Sequence, residues 1–270
     1  MPRVGDASFI DGPASSLQNQ ELDSERIASD VRMSSPAPRL SLVERSRSGD
    51  EETRRRAYAT IIDAYWKPAY KYLRLKWLLS PDEAAQLTQE FFATVLERAM
   101  IANYDPARTR FRTYVRLCLD GFASQAHMRE RGAMRGGGDE IVSLDFISAE
   151  GEVRRHGVRL NVDDDELFYR EWADALRERS LLDLKRHVDA AGQSVKFDVF
   201  ARYDLIDDVA TRPTYAEIAR ALDVTPATVT NHLAAMRRQY RSILLERLRE
   251  LTSSDEEWEA EAAELLNDRP

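Results

Sequence analysis

Two stretches of this chain carry side chains whose types and spacing could do chemistry, and both suit contact with nucleic acid. The first is TYAEIARALDVTPATVTNHLAAMRRQYRSIL, residues 214–244. Thr225 can cap a helix that begins at Pro226. Helical spacing turns Val229, Leu233, Met236 and Tyr240 inward. It leaves Ala227, Thr228, Asn231, Ala234 and Arg238 outward, with Arg237 and Arg241 beside them. Small hydrogen-bonding residues at a helix start, followed by arginines, suit a helix laid in the major groove. Thr228 and Asn231 would reach base edges while the guanidinium groups hold phosphates. The alternative is an ordinary helical hairpin with a solvated basic face. The second stretch runs from Tyr104 to Arg135. Arg108, Arg110, Arg112 and Arg116 are interleaved there with Tyr104, Phe111 and Tyr114. Cations beside aromatic rings suit a single strand, because its backbone meets charge and its unstacked bases meet a ring. The alternative is a core helix in which Phe111 and Tyr114 pack.

The elements that must position these groups read as helices. The first motif divides into a short helix over 215–222, a turn at Asp223-Val224-Thr225, and the helix from Pro226. Such turns often carry Gly where Asp223 stands, and Asp tolerates the left-handed conformation. Upstream, helical pattern begins near Ser41 and breaks at Ser48-Gly49-Asp50. A longer helix follows with Ala57, Ile61, Ile62 and Tyr65 on one face, and Pro68 should kink it or start a new segment. PDEAAQLTQEFF, residues 81–92, opens another helix. Ser80 caps it, acids fill its first turn, and Leu87, Phe91, Phe92, Val95 and Ala99 form its inner stripe. After Asp105-Pro106, helix resumes with Phe111, Val115, Cys118, Leu119 and Phe122 inward. Residues 139–162 are mixed, and EIVSLDFIS reads as an extended linker. VDDDELFYREWADALRERSLLDLKRHV opens a second helical domain with Leu167, Phe168, Trp172, Leu176 and Leu181 as its stripe, and Ala191-Gly192 ends it. The last helix is capped at Ser253 or Ser254.

The expected fold is therefore all-α, with two small helical domains joined by a flexible linker. Residues 1–40 form a disordered extension, since four of the ten prolines and seven serines fall there without a period. The first domain spans 41–135, the linker 136–162, the second domain 163–251, and an acidic helix 252–270. The 270 residues suffice for two modest cores. No apolar run approaches the ~20 residues that span a bilayer, and the N-terminus does not read as a signal peptide. One cysteine, Cys118, excludes an internal disulfide and fits a reducing cytoplasm. Four scattered histidines have no metal-ligand spacing, so neither metal nor cofactor is expected. The net charge of −8 is unpromising for a nucleic-acid binder, but its distribution matters more. Residues 104–135 carry seven arginines against three acids, and 232–249 five arginines against Glu246. Residues 252–270 carry seven acids against Arg269. That tail could mimic nucleic acid and cover a basic face; packing of Trp258 and Leu265 against the second domain is the favoured alternative.

As an ordered set, SGDEETRRRAYATIIDAYWKPAYKYL, PDEAAQLTQEFFATVLE, YDPARTRFRTYV with RGAMRGGG, and the helix-turn-helix resemble the sigma-70 family over about residues 41–266. The likeness is to its two-domain extracytoplasmic-function group, in particular a branch with an LTQ-x-FF stretch. The resemblance implies a dissociable, non-enzymatic, cytoplasmic subunit of bacterial RNA polymerase. Region 2 would bind the β′ clamp helices through Glu83, Gln86, Gln89 and Glu90. It would open the −10 element with Asn103, Tyr104, Arg108, Arg110, Arg112, Tyr114 and Arg116. Region 4 would sit on the β flap and read the −35 element with Thr225, Thr228, Asn231, His232, Arg237, Arg238 and Arg241. Core RNA polymerase and promoter DNA are the implied partners, with an anti-sigma factor or a Ser/Thr kinase as regulators.

Two departures stand out. The family commonly carries an Asp-Ala-Glu-Asp-like run before Leu-Val-Gln-Glu. Here Glu83-Ala84-Ala85-Gln86 precedes Leu87-Thr88-Gln89-Glu90, which should weaken electrostatic steering at that interface. Some family members with depleted acids are activated by a kinase near this helix, and a phosphate would supply about −1.5 to −2 charge. Thr88 is the first candidate and Thr94 the second. The second departure is Asp120-Gly121, where the family often has a polar pair near the −10 contact. A stand-alone helix-turn-helix regulator and a purely protein-binding helical adaptor remain as alternatives.

Overall fold

The computed structural model describes residues 41–130, 144–156, 163–206 and 208–267. Every regular element among them is helical, as the periodicity predicts. The expected tail 1–40 and the Arg-Gly-Gly-Gly segment at 135–138 lie outside the described residues. The helices are α1 (Leu42–Ser46), α2 (Glu51–Lys76), α3 (Pro81–Glu97), α4 (Phe111–Glu130) and α5 (Phe146–His156), then α6 (Asp164–Ala190), α7 (Ser194–Asp204), α8 (Tyr215–Ala221), α9 (Pro226–Leu251) and α10 (Asp255–Asn267). Short 3₁₀ turns occupy Met100–Asn103 and Val209–Thr211.

Local chemistry sets most boundaries. Ser41 with Glu44, Ser80 with Glu83, and Thr214 with Glu217 form reciprocal capping boxes that satisfy otherwise orphaned N–H groups. Asp50 caps α2 by accepting from the Thr53 N–H. Gly192, at φ 67°, ends the turn after α6 in a conformation that favours glycine. Two expectations change. Helix α2 runs on through Pro68, which is buried. The lost backbone bond is outweighed by the packing of Tyr65, Ala69, Tyr70, Tyr72 and Leu73 on either side. Helix α3 stops at Glu97, and Ala99 turns left-handed at φ 46° and is exposed, so it leaves the predicted inner stripe. Ala84 and Thr88 join that stripe in its place.

Helix α2 is the centre of the molecule and packs against α1, α3, α5 and α6. Tyr65 is stacked beside Phe168 and Trp172 of α6 and meets the edge of Phe111 from α4. One apolar core takes residues from Leu42 on α1 to Leu265 on α10. Two smaller clusters lie at the far end. Val199, Ile218, Ala219, Val229 and Leu233 form one; Leu184, Val188, Phe200 and Met236 form the other. Helices α6 and α9, of 27 and 26 residues, are each about 40 Å long at 1.5 Å per residue. They carry both the shared core and the outer clusters.

The segment expected as an extended linker contains α5. Phe146 packs on Trp66 and Tyr70 of α2. The Glu150 carboxylate accepts from Arg74 Nε and Nη2 at 2.8 and 2.9 Å and from the Tyr70 hydroxyl at 2.8 Å. Glu152 pairs with Lys67 at 2.5 Å and Lys71 at 2.7 Å, and Lys71 reaches Glu171 of α6 at 2.7 Å. Lys71 is buried, so these partners are what makes its charge tolerable there.

Candidate nucleic-acid interface

The helix-turn-helix forms as its sequence predicts. The turn between α8 and α9 closes with Leu222 N–H donating to Ile218 O and Val224 N–H donating to Ala219 O, both at 3.0 Å. Asp223 holds φ 52°, the left-handed conformation that the position demands. Thr225 caps α9 by accepting from the Thr228 N–H at 3.1 Å, and its hydroxyl lies 2.8 Å from that of Thr228. Val229, Leu233 and Met236 are buried, while Tyr240 is half-buried with its hydroxyl donating to Arg177 O. Thr225, Thr230, Asn231, Arg237 and Arg238 are exposed, with Thr228, His232 and Arg241 partly so. Of the seven residues expected on this face, Thr228, Asn231, His232, Arg237 and Arg238 are wholly or partly open along α9 and Thr225 caps its start, while Arg241 is half-buried with its Nη2 shut off from solvent and without a hydrogen-bond partner.

One member is tied down. Arg237 donates through Nε and Nη2 to Asp204 of α7 at 2.8 and 2.7 Å, beneath the ring of Tyr203. That fork-to-carboxylate pairing orients the guanidinium, and Asp204 raises its pKa. Burial and the nearby Lys196 lower the pKa of His232, which favours the neutral ring. Sequence reasoning missed Tyr203, Asp204 and Lys196, because they come from α7 and no local pattern marks them.

The arginine-rich stretch is placed differently from expectation. Asn103 and Arg108 are exposed. Tyr104 is buried against Phe111 and Tyr114, donates to Thr109 O at 2.9 Å, and burial raises its pKa to about 12. Tyr114 is half-buried and donates to Met100 O at 2.8 Å. Arg116 is buried between Asp120 at 2.7 Å and Asp165 at 2.6 Å. Arg110 meets Glu264 of α10 at 2.5 Å. Arg112 meets Glu261 and Glu264, both at 2.9 Å, and lies 4.2 Å from the ring centre of Tyr169. Of the seven residues expected at a single strand, Tyr104 and Arg116 are interior supports in this conformation, and Arg110 and Arg112 face carboxylates.

The departure at Asp120 has a structural account. Its carboxylate accepts from the Tyr72 hydroxyl, Lys76 Nζ, Trp77 Nε1 and Arg116 Nη1 at 2.7–3.2 Å. It ties the end of α2 to the middle of α4.

On α3, Glu83 and Gln86 are exposed and Gln89 and Glu90 partly so. Glu83 is engaged in the Ser80 capping box, and Gln86 Nε2 donates to Glu90 at 2.8 Å. Thr88 is fully buried, its hydroxyl donating to Ala84 O at 2.7 Å. Sealed in the core, it is out of a kinase's reach in this conformation. Thr94 is partly exposed and donates to Glu90 O at 2.8 Å. Among the described residues, no group of three or more His, Cys, Asp or Glu is placed to hold a metal ion, and no helix is long and apolar enough to cross a membrane. Set against family models, curated proteins and solved structures, the chain matches none of them.

Proposed function

We propose that this chain is a sigma factor of the sigma-70 family, a two-module subunit that binds core RNA polymerase and directs promoter-specific initiation. The observation that carries the proposal is the α8–α9 unit. A tight turn with Asp223 left-handed presents Asn231 and Arg238 on one open face, above a buried Val229–Leu233–Met236 seam. That is the arrangement a recognition helix needs in a major groove, with short polar groups near its start and cations farther along. Glu83, Gln86, Gln89 and Glu90 share the open side of α3 and supply a weakly acidic polymerase-docking face. The N-terminal module would trap the melted −10 strand and the α8–α9 unit would read the −35 duplex.

Run-off transcription with purified core polymerase tests this. The chain should confer initiation at a discrete start site, and Asn231→Ala with Arg238→Ala should abolish it. If core polymerase neither binds the chain nor gains promoter-specific initiation from it, the proposal fails. A second function is favoured by one observation: Arg110, Arg112 and Arg116 of the N-terminal module are engaged internally while the α9 face is open. A stand-alone duplex-DNA regulator would have this form, and it would retard duplex DNA at low salt without polymerase.

A further inference from the structure

Helix α10 brings three carboxylates to the start of α4. Glu257, Glu261 and Glu264 recur at intervals of four and three residues, which puts them on one helix face. Glu257 accepts from the Phe111 N–H at 2.6 Å, at the positive end of α4, and from the Ser253 N–H at 2.7 Å. Glu261 sits 2.9 Å from Arg112 and 3.5 Å from Arg110, and Glu264 lies within 2.9 Å of both. Two guanidinium groups and a helix N-terminus thus hold three carboxylates in a row, the charge pattern that a phosphate backbone would present to the same groups.

The opposite face of α10 is apolar. Trp258, Ala262 and Leu265 are buried, and Trp258 Nε1 donates to Leu245 O of α9 at 3.2 Å. Glu261 is 3% exposed, and its Oε2 has no hydrogen-bond partner. The apolar face therefore holds the helix in place while its acidic face is imperfectly satisfied. Such a contact can be exchanged for a ligand that fits the arginines better.

We propose that α10 is a displaceable latch, an internal polyanion that occupies the single-strand site of the N-terminal module until nucleic acid competes it away. The ligand is the phosphate backbone of a single strand that runs past the exposed Asn103 and Arg108 onto Arg110 and Arg112. Closure and single-strand binding are mutually exclusive, so the isolated chain binds a single strand weakly. The inference rests on the nucleic-acid function proposed above and adds its regulation.

The test compares two charge-reversed variants of the full chain. Glu264→Lys sets a cation against Arg110 and Arg112. Glu259→Lys makes the same change of net charge on the exposed side of α10. Binding of a fluorescein-labelled single strand of about 15 nucleotides is read by anisotropy, and melting curves check that each variant folds. Glu264→Lys should bind at least about ten-fold more tightly than Glu259→Lys, as expected for a closed state shifted open. In the wild-type chain, saturating single strand should raise hydrogen exchange across 255–267. Equal affinities of the two variants, or unchanged protection of 255–267 in the bound wild-type chain, overturns the latch and leaves the DNA-binding function standing. Failure of all three proteins to bind the single strand also overturns the latch, whereas the initiation function stands or falls by the run-off assay with core polymerase.

Discussion

Gly121 lies within α4, exposed, and a Cβ built on it meets nothing within 4 Å. Its helical cost is therefore unrelieved by any packing advantage in the folded chain. Gly121→Ala should stabilise the protein by about 0.5–1 kcal/mol in urea unfolding, by restricting the unfolded chain and favouring helix. If single-strand binding or initiation falls while stability rises, a ligand approaches the backbone at this point. At Thr88, residue identity and environment conflict. The hydroxyl is sealed inside α3, so Thr88→Glu should cost about 3–5 kcal/mol by burying an unpaired carboxylate. That variant should therefore unfold readily instead of mimicking a phosphate. Kinase dependence, if the chain has it, should follow Thr94: Thr94→Ala removes it and Thr88→Val leaves it intact in a coupled kinase and run-off assay.

Between α2 and α5, the coupling runs through ions. Arg74 and the Tyr70 hydroxyl pull the Glu150 pKa from 4.5 down to about 2. A carboxylate with a depressed folded pKa stabilises the fold above its unfolded pKa, and that contribution is lost as the proton returns. The α5 contribution should thus be complete above about pH 4.5 and disappear as pH falls towards 2. Urea unfolding across that range should show a falling limb that Glu150→Gln flattens, with the variant less stable at neutral pH. This helix was not legible in the sequence. Phe146, Ala149 and Glu150 give only one short turn of pattern, Gly151 interrupts it, and its partners lie some eighty residues upstream on α2. The opposite holds for α8 and α9. Thr214, Asp223, Thr225 and Pro226 are local signals whose chemistry acts within three or four residues, and both helices form where those signals put them.

Across the whole molecule, α10 bridges α9 and the start of α4. Burial raises the Glu261 pKa to about 7 against the opposing pull of Arg112 and Arg110, with Glu264 and Glu257 adding to the rise. The sign is the reverse of Glu150. The folded chain holds this proton more tightly than the unfolded chain, so its contribution weakens as pH climbs from about 4.5 to about 7 and is level above that. Glu261→Gln should therefore gain stability relative to wild type across that interval, and the gap should be constant at higher pH. Paired urea titrations at several pH values check this. A gap that does not change with pH would mean that Glu261 stays ionised throughout, held by its arginines.

What the sequence determined by itself is whatever short-range chemistry dictates. Helical periods, caps, the left-handed turn at Asp223 and the outward face of α9 all depend on neighbours within a turn or two. Tertiary structure decided which charges are free. Arg110, Arg112 and Arg116 have the same local signature as Arg238, yet three meet carboxylates from α6, α10 and Asp120 while Arg238 stays exposed. A guanidinium's partner is chosen by whichever acid the packing brings within about 3 Å, and here those acids come mainly from residues 49 to 154 positions away.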